Sequence, residues 1–337
     1  MESNKITFLA GDIGGTKTTL AVIDPDAGVR APLHKVTYPS GKFDSLEAIV
    51  RQFLQQGDGD FKVRYGSFGV AGPVVNGQAR ITNLPWVMDE AGMAADLGFP
   101  VRLLNDLEAI AHAVPHLLPE DLETLHAGSP VEGGALAVIA PGTGLGEAFL
   151  GWDGHKYLPF PSEGGHADFA PADPDELDLL VYLQPRFGHV SWERICSGSG
   201  LPNLYDYLKQ RGSHPEPDWL AAKLAAVSDV TPVIVQTALH NQAEICVDAL
   251  DLFVKLLGSE AGNLALKVLA TGGIYLGGGI PPRILSFLKK DLFLKAVCEK
   301  GRFKEALAQI PVHVILNPEA GLFGAAQHGL EHHRDQA

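Results

Sequence analysis

Short apolar, β-favouring runs alternate along the chain with glycine turns and with stretches of helical period. Residues 6–11 form the first such run and lead into Asp12-Ile13-Gly14-Gly15-Thr16-Lys17, after which residues 18–24 read as a second strand. Turn chemistry at Pro25-Asp26-Ala27-Gly28 precedes a third strand near 33–38. The same order recurs farther on. Residues 135–140 are apolar and lead into Pro141-Gly142-Thr143-Gly144-Leu145-Gly146, residues 148–152 return as a strand, and Asp153-Gly154 turns into a short strand over 156–160. Between the two openings the pattern predicts a helix over 44–56, a strand over 63–70, a helix over 89–97 and a strand over 101–104. Residues 173–267 are helix-rich, and one long apolar-periodic stretch, 230–257, reads as a buried helix.

A strand–glycine turn–strand–turn–strand unit that appears twice predicts two related α/β lobes with a cleft between them. The expected division is a small lobe over 1–111, completed by a C-terminal helix near 318–333, and a large lobe over 112–317. The length of 337 residues, too great for one compact core, agrees with two lobes.

Composition narrows the function classes. A 46% apolar and 20% charged chain is globular. Its net charge of −14 opposes binding to nucleic acid or to anionic membranes. It leaves room for a nucleotide, because backbone N–H groups and a metal can hold phosphate without side-chain charge. No stretch approaches the roughly 20 apolar residues of a membrane helix. Residues 1–5 show no basic leader, and Arg334-Asp335-Gln336-Ala337 shows no sorting signal. Three scattered cysteines (Cys196, Cys246, Cys298) fit a reducing compartment, so a cytoplasmic location is expected.

The two glycine turns carry candidate phosphate chemistry. Gly14 and Gly15 let the backbone approach a ligand. Thr16 and the turn N–H groups can donate to phosphate, and Asp12 can hold a hydrated Mg²⁺. Read alone, a plain hairpin turn with a Gly-Gly tip is the alternative for this segment. Gly142, Thr143 and Gly144 repeat the chemistry. A strand, not a helix, follows them, which excludes a dinucleotide fingerprint, and no Gly-Lys-Ser/Thr makes a P-loop. A third run, Gly277-Gly278-Gly279, either lets a nucleoside base lie against backbone or is a plain strand-to-helix turn.

A second set of residues suits a sugar, whose hydroxyls each donate and accept. Asn105 and Asp106 stand at a strand end before a helix-like run over 107–114, where they either face a ligand or cap the helix. Glu163 and His166 flank Gly164-Gly165, and Glu193 precedes Ser197-Gly198-Ser199-Gly200. A solvated loop and helix capping are the plain alternatives for these. His112, His116 and His189 read as structural.

Taken together, the segments Leu9–Lys17, Leu104-Asn105-Asp106, Gly142–Gly146, Ser162–His166, Glu193-Arg194 with Ser197-Gly198, and Gly277–Ile280 resemble bacterial-type glucokinases. The resemblance runs from about residue 6 to about residue 328, and includes Gly301–Glu305 and Asn317–Gly324. It implies the two-domain actin-like ATPase (ribonuclease H-like) fold, ATP as donor, Mg²⁺, glucose as acceptor and a homodimer. It assigns sugar contacts to Asn105, Asp106, Glu163, His166 and Glu193, with Asp106 as general base. It assigns nucleotide contacts to Asp12, Gly14, Gly15, Thr16 and Lys17, and to Gly142, Thr143, Gly144, Gly278 and Gly279. Two departures stand out. Ala167-Asp168-Phe169 replaces the cysteine-rich zinc motif of the related repressor branch, so no zinc is expected. Glu147 occupies a position expected to be apolar.

Alternatives keep the fold and change the acceptor (mannose, fructose or an N-acetylhexosamine) or the donor (polyphosphate). A sugar-sensing repressor would need an N-terminal helix-turn-helix, against which a strand starting near residue 6 and a net charge of −14 both argue. For a protein-binding ATPase, the Glu163, His166 and Glu193 set has no purpose.

Overall fold

The computed structural model describes residues 6–57, 61–81 and 84–336. Residues 1–5 and 337, on which the leader and sorting-signal readings partly rest, lie outside them. The chain divides into two compact units, Met1–Leu118 with Asn317–Ala337, and Pro119–Leu316.

The first unit contains β1 (Ile6–Ile13), β2 (Lys17–Ile23), β3 (His34–Pro39), α1 (Leu46–Gln56), β4 (Lys62–Val70), a small ribbon of β5 (Val74–Val75), β6 (Gln78–Arg80) and β7 (Val87–Asp89), then α2 (Glu90–Leu97), β8 (Val101–Asn105) and α3 (Asp106–Ala113). Its main sheet has the order β3-β2-β1-β4-β8. The first three strands are antiparallel neighbours, and β4 and β8 add in parallel. Successive residues of a strand point to opposite faces, and here both faces are covered. Leu9, Ile13, Leu20 and Val22 join the core that contains Leu46, Ile49, Val50 and Phe53 of α1. Phe8, Ala10, Ala21 and Ile23 pack with Leu322, Ala326 and Leu330 of the C-terminal helix, Ala320–Gln336. Each such large side chain taken out of water is worth about 1.5–3 kcal/mol before entropy is charged. Ser45 caps α1 by accepting from the Ala48 N–H at 3.2 Å, and Asp89 caps α2 through the Gly92 N–H at 2.7 Å.

The second unit contains β9 (Leu122–His126), β10 (Leu136–Pro141), β11 (Leu145–Trp152), β12 (Tyr157–Ser162), α4 (Pro174–Phe187), α5 (Leu201–Arg211), α6 (Asp218–Ala225), α7 (Thr231–Leu239), α8 (Glu244–Val268), β13 (Gly273–Leu276) and β14 (Val312–Ile315). Its sheet order is β12-β11-β10-β13-β14-β9. The single helix expected over 230–257 is two helices. Asn241 takes a positive φ of 50° and Ala243 is extended, and these break the helix between Leu239 and Glu244. Asparagine tolerates the left-handed region, so the hydropathy pattern runs unbroken across a real stop. Beyond it α8 continues for 25 residues, burying Cys246, Ala249, Phe253, Leu257, Ala261 and Leu264 at helical spacing.

Candidate active site

In the first unit the glycine turn is held by a serine that its own motif does not contain. The Gly14 N–H donates to Lys17 O at 2.8 Å, closing the turn between β1 and β2. Ser40, just past β3, donates from Oγ to Gly14 O at 2.7 Å and from N–H to Thr16 O at 3.0 Å. The turn is thus fixed from behind, and Thr16 and Lys17 remain exposed. Asp12 lies at the end of β1, opposite Thr19.

Asn105 and Asp106 both serve the start of α3. Asn105 Oδ1 accepts from the Leu107 N–H at 2.9 Å, so it caps α3, and its Nδ2 donates to Gly72 O at 2.9 Å. One Nδ2 hydrogen and one Oδ1 lone pair remain for a ligand. Asp106 is the first residue of α3 and accepts from the same Leu107 N–H at 2.9 Å. Asp12 and Asp106 are close enough to oppose each other. Burial, then the Asp106 charge, raises the Asp12 carboxyl to about 6.

In the second unit Glu163, His166 and Glu193 come together. His166 Nε2 is 3.9 Å from Glu163 Oε2, and its Nδ1 is 3.9 Å from Glu193 Oε1. Glu193 is anchored by its other oxygen, which accepts from the Leu145 N–H at 3.0 Å. Glu163 and His166 are mostly exposed, so this is a surface of donors and acceptors, not a closed ion pair. Ser197 Oγ donates to Glu193 O at 2.7 Å and fixes the backbone that carries Glu193.

The same glycine turn borders a pocket of about 760 Å³. Gly142, Thr143, Gly198, Ser199 and Gly279 form part of its wall, with Val230, Val235, Ile280 and Ile284 as an apolar lining and Asp229 and Arg283 as charged groups. The Gly198 N–H donates to Gly142 O at 2.8 Å and the Ser199 N–H to Thr143 O at 3.2 Å, tying the wall together. Gly279 lines the pocket, whereas Gly278 stands behind it. Gly278 has a φ of 80°, and a Cβ there would lie 2.6 Å from Pro141 O, so only glycine lets this run close on the end of β10.

Ser40, Ser228, Asp229, Thr231 and Arg283 are site-building residues that pattern reasoning missed. The sole signal in sequence was the helix-start chemistry of Asp229-Val230-Thr231-Pro232. Asp229 accepts from the Thr231 N–H at 3.0 Å, and Thr231 Oγ1 donates to Gly198 O at 2.7 Å. His189 stays outside the set, paired with Asp168 at 2.9 Å.

A family model for glucokinase matches residues 9–332. The chain belongs to the glucokinase family. It is 40% identical to a glucokinase of Nostoc sp. over 333 residues, covering 95% of this chain and 97% of that one. It is 37% identical to a glucokinase of Synechocystis sp. over 346 residues, with the same coverage. A crystal structure of a glucokinase from an Antarctic psychrotroph superposes with a TM-score of 0.82 at 30% identity, covering 97% of this chain and 99% of that one. Solved glucokinase and ROK sugar-kinase chains thus share the actin-like ATPase fold of this one.

Proposed function

We infer that the chain transfers the γ-phosphoryl group of ATP to the 6-hydroxyl of glucose. The observation that carries this reading is one turn with two faces. Gly142 and Thr143 line the large pocket, and Leu145, two residues on, holds Glu193 of the Glu163–His166–Glu193 cluster. A nucleoside-sized, largely apolar pocket and a sugar-suited polar cluster therefore meet at a phosphate-binding turn. The apolar lining favours a nucleotide over polyphosphate as donor.

In this reading Asn105, Glu163, His166 and Glu193 hold the sugar hydroxyls, and Asp106 takes the 6-hydroxyl proton as the new bond to phosphorus forms. Phosphoryl transfer of this kind is mostly positioning and charge stabilisation. The N–H groups around Gly14–Lys17 and Gly142–Gly144, with Thr16, bind phosphate oxygens, and the wall at Gly279 receives the nucleoside. Asp12 fits Mg²⁺: its carboxyl and that of Asp106 oppose each other, an arrangement a divalent cation relieves. Among the described residues no group of three His, Cys, Asp or Glu surrounds a metal position, which suits an ion held largely by water and phosphate. When bound, Mg²⁺ neutralises phosphate charge.

No helix among the described residues is long and apolar enough to cross a membrane. A cytoplasmic homodimer belongs to the same reading, and sedimentation of the purified chain tests the dimer. A coupled assay for ADP with ATP, Mg²⁺ and a panel of hexoses tests the activity. Glucose should give the highest kcat/KM, and ADP release that does not depend on glucose overturns the assignment.

A further inference from the structure

Behind the cluster that faces the sugar lies a buried acid that the chemistry above does not use. Glu147 sits on β11 opposite Ser162, the last residue of β12, and is 1% exposed. Its Oε1 accepts from no N–H or O–H donor among the described residues. Its Oε2 presses on Gly164 so closely that a Cβ there would overlap it. Gly164 opens the short turn Gly164–His166, and its N–H donates to Ser162 Oγ at 3.0 Å. The Glu147 carboxyl is therefore the floor on which the turn bearing Glu163 and His166 rests.

Glu260, fully buried on α8, meets Glu147 side chain to side chain. Glu260 already has donors: Asn263 Nδ2 reaches its Oε2 at 2.8 Å and Lys267 Nζ its Oε1 at 3.2 Å. Lys300 also faces Glu260, while Cys196 and Glu176 complete the surroundings, with Glu176 paired to Lys255 at 2.9 Å. Two buried carboxyls in contact cannot both ionise cheaply. The donors on Glu260 select it as the charged member, and Glu147 keeps the proton. Burial, then the Glu260 charge, pushes the Glu147 carboxyl well above the usual carboxylate range.

We propose that Glu147 is a positioning residue: as a neutral acid sharing one proton with Glu260, it props the Glu163–His166 turn for glucose, and its ionisation at alkaline pH releases that turn. The proposal rests on Glu163 and His166 as sugar contacts. When Glu147 ionises beside Glu260, the two carboxylates repel. β11 is held by β10 in six paired positions, so the element free to yield is the Gly164-Gly165 turn.

The test follows kcat and the KM for glucose from about pH 7 to about pH 9.5 in the wild type, Glu147→Gln and Glu260→Gln. In the wild type, KM rises about fivefold or more across the range while kcat changes less, as expected for a lost positioning contact. Glutamine cannot ionise, so in Glu147→Gln the KM stays level across the range. Removing the Glu260 charge lowers the pKa of Glu147, so in Glu260→Gln the rise moves to lower pH. Infrared difference spectra at neutral pH should show a protonated-carboxyl band in the wild type that Glu147→Gln lacks, a readout independent of turnover. A level wild-type KM, an alkaline rise that persists in Glu147→Gln, or the absence of that band overturns the proposal. If the wild type phosphorylates no glucose, it is the functional reading that fails, and the infrared band still reports on the shared proton.

Discussion

The two units are built on one strand plan, β3-β2-β1-β4-β8 in the first and β12-β11-β10-β13-β14 in the second, yet they place their acids differently. Each contains a hairpin whose two strands are joined by a glycine turn. Counting back from the last pair, Asp12 opposite Thr19 in the first unit matches Ala140 opposite Gly146 in the second. One pair deeper, Leu20 opposite Gly11 matches Glu147 opposite Ile139. The first unit thus has its carboxylate at the mouth of the turn and a leucine in the core. The second has an alanine at the mouth and its carboxyl in the core. At the mouth an acid can meet phosphate and metal. One pair deeper it can act only on the protein around it. A shift of one pair, and from the first strand of the hairpin to the second, separates the metal-facing role proposed for Asp12 from the propping role proposed for Glu147.

Four changes break or sharpen this comparison. Asp106→Asn keeps the capping geometry at Leu107 and removes the proposed base. It should lower kcat by about 10²–10⁴ with glucose affinity changed little, as steady-state kinetics and calorimetry would show. Near-normal turnover in that variant rules Asp106 out as base. Glu193→Gln weakens the proposed charged contact to sugar and the bond to the Leu145 N–H, and should raise the KM for glucose about 10- to 100-fold. Gly278→Ala forces a Cβ against Pro141 O at a positive φ. It should raise the KM for ATP about tenfold, consistent with about 1–2 kcal/mol of left-handed strain, and leave glucose binding in place. The last change acts on stability and not on turnover. The folded Asp12 carboxyl, at about 6, is above its unfolded value, so its contribution is most favourable below the unfolded pKa and is lost as pH rises through about 6. Asp12→Asn should therefore be more stable than the wild type above about pH 6, by about 1–3 kcal/mol, and no more stable near pH 3.5. Equal denaturation midpoints at both pH values argue that Asp12 carries no such strain.

Much of this frame is legible in the sequence because it rests on local chemistry. The glycine turns, the alternating strands and the Asn105-Asp106 strand end each announce themselves within a few residues. The structure brings Glu163, His166 and Glu193 together, and it leaves Asn105 as both cap and candidate contact. What the sequence hides depends on distant partners. Ser40 holds the first turn from beyond β3, and Asp229 and Thr231 reach the pocket from a segment far from its glycines. The break at Asn241 leaves hydropathy untouched. Glu147 stands out as an anomaly in sequence, but its partner Glu260 is more than 100 residues away on α8.

The C-terminal helix Ala320–Gln336 has a consequence for synthesis. Leu322, Ala326 and Leu330 fill one face of the sheet that begins with β1, so the first unit is stitched from segments on either side of the second. On the ribosome, at about 5–20 residues per second, the sheet of the first unit waits roughly ten to forty seconds with that face bare while Pro119–Leu316 is made. The later-encoded unit is the one able to mature without waiting.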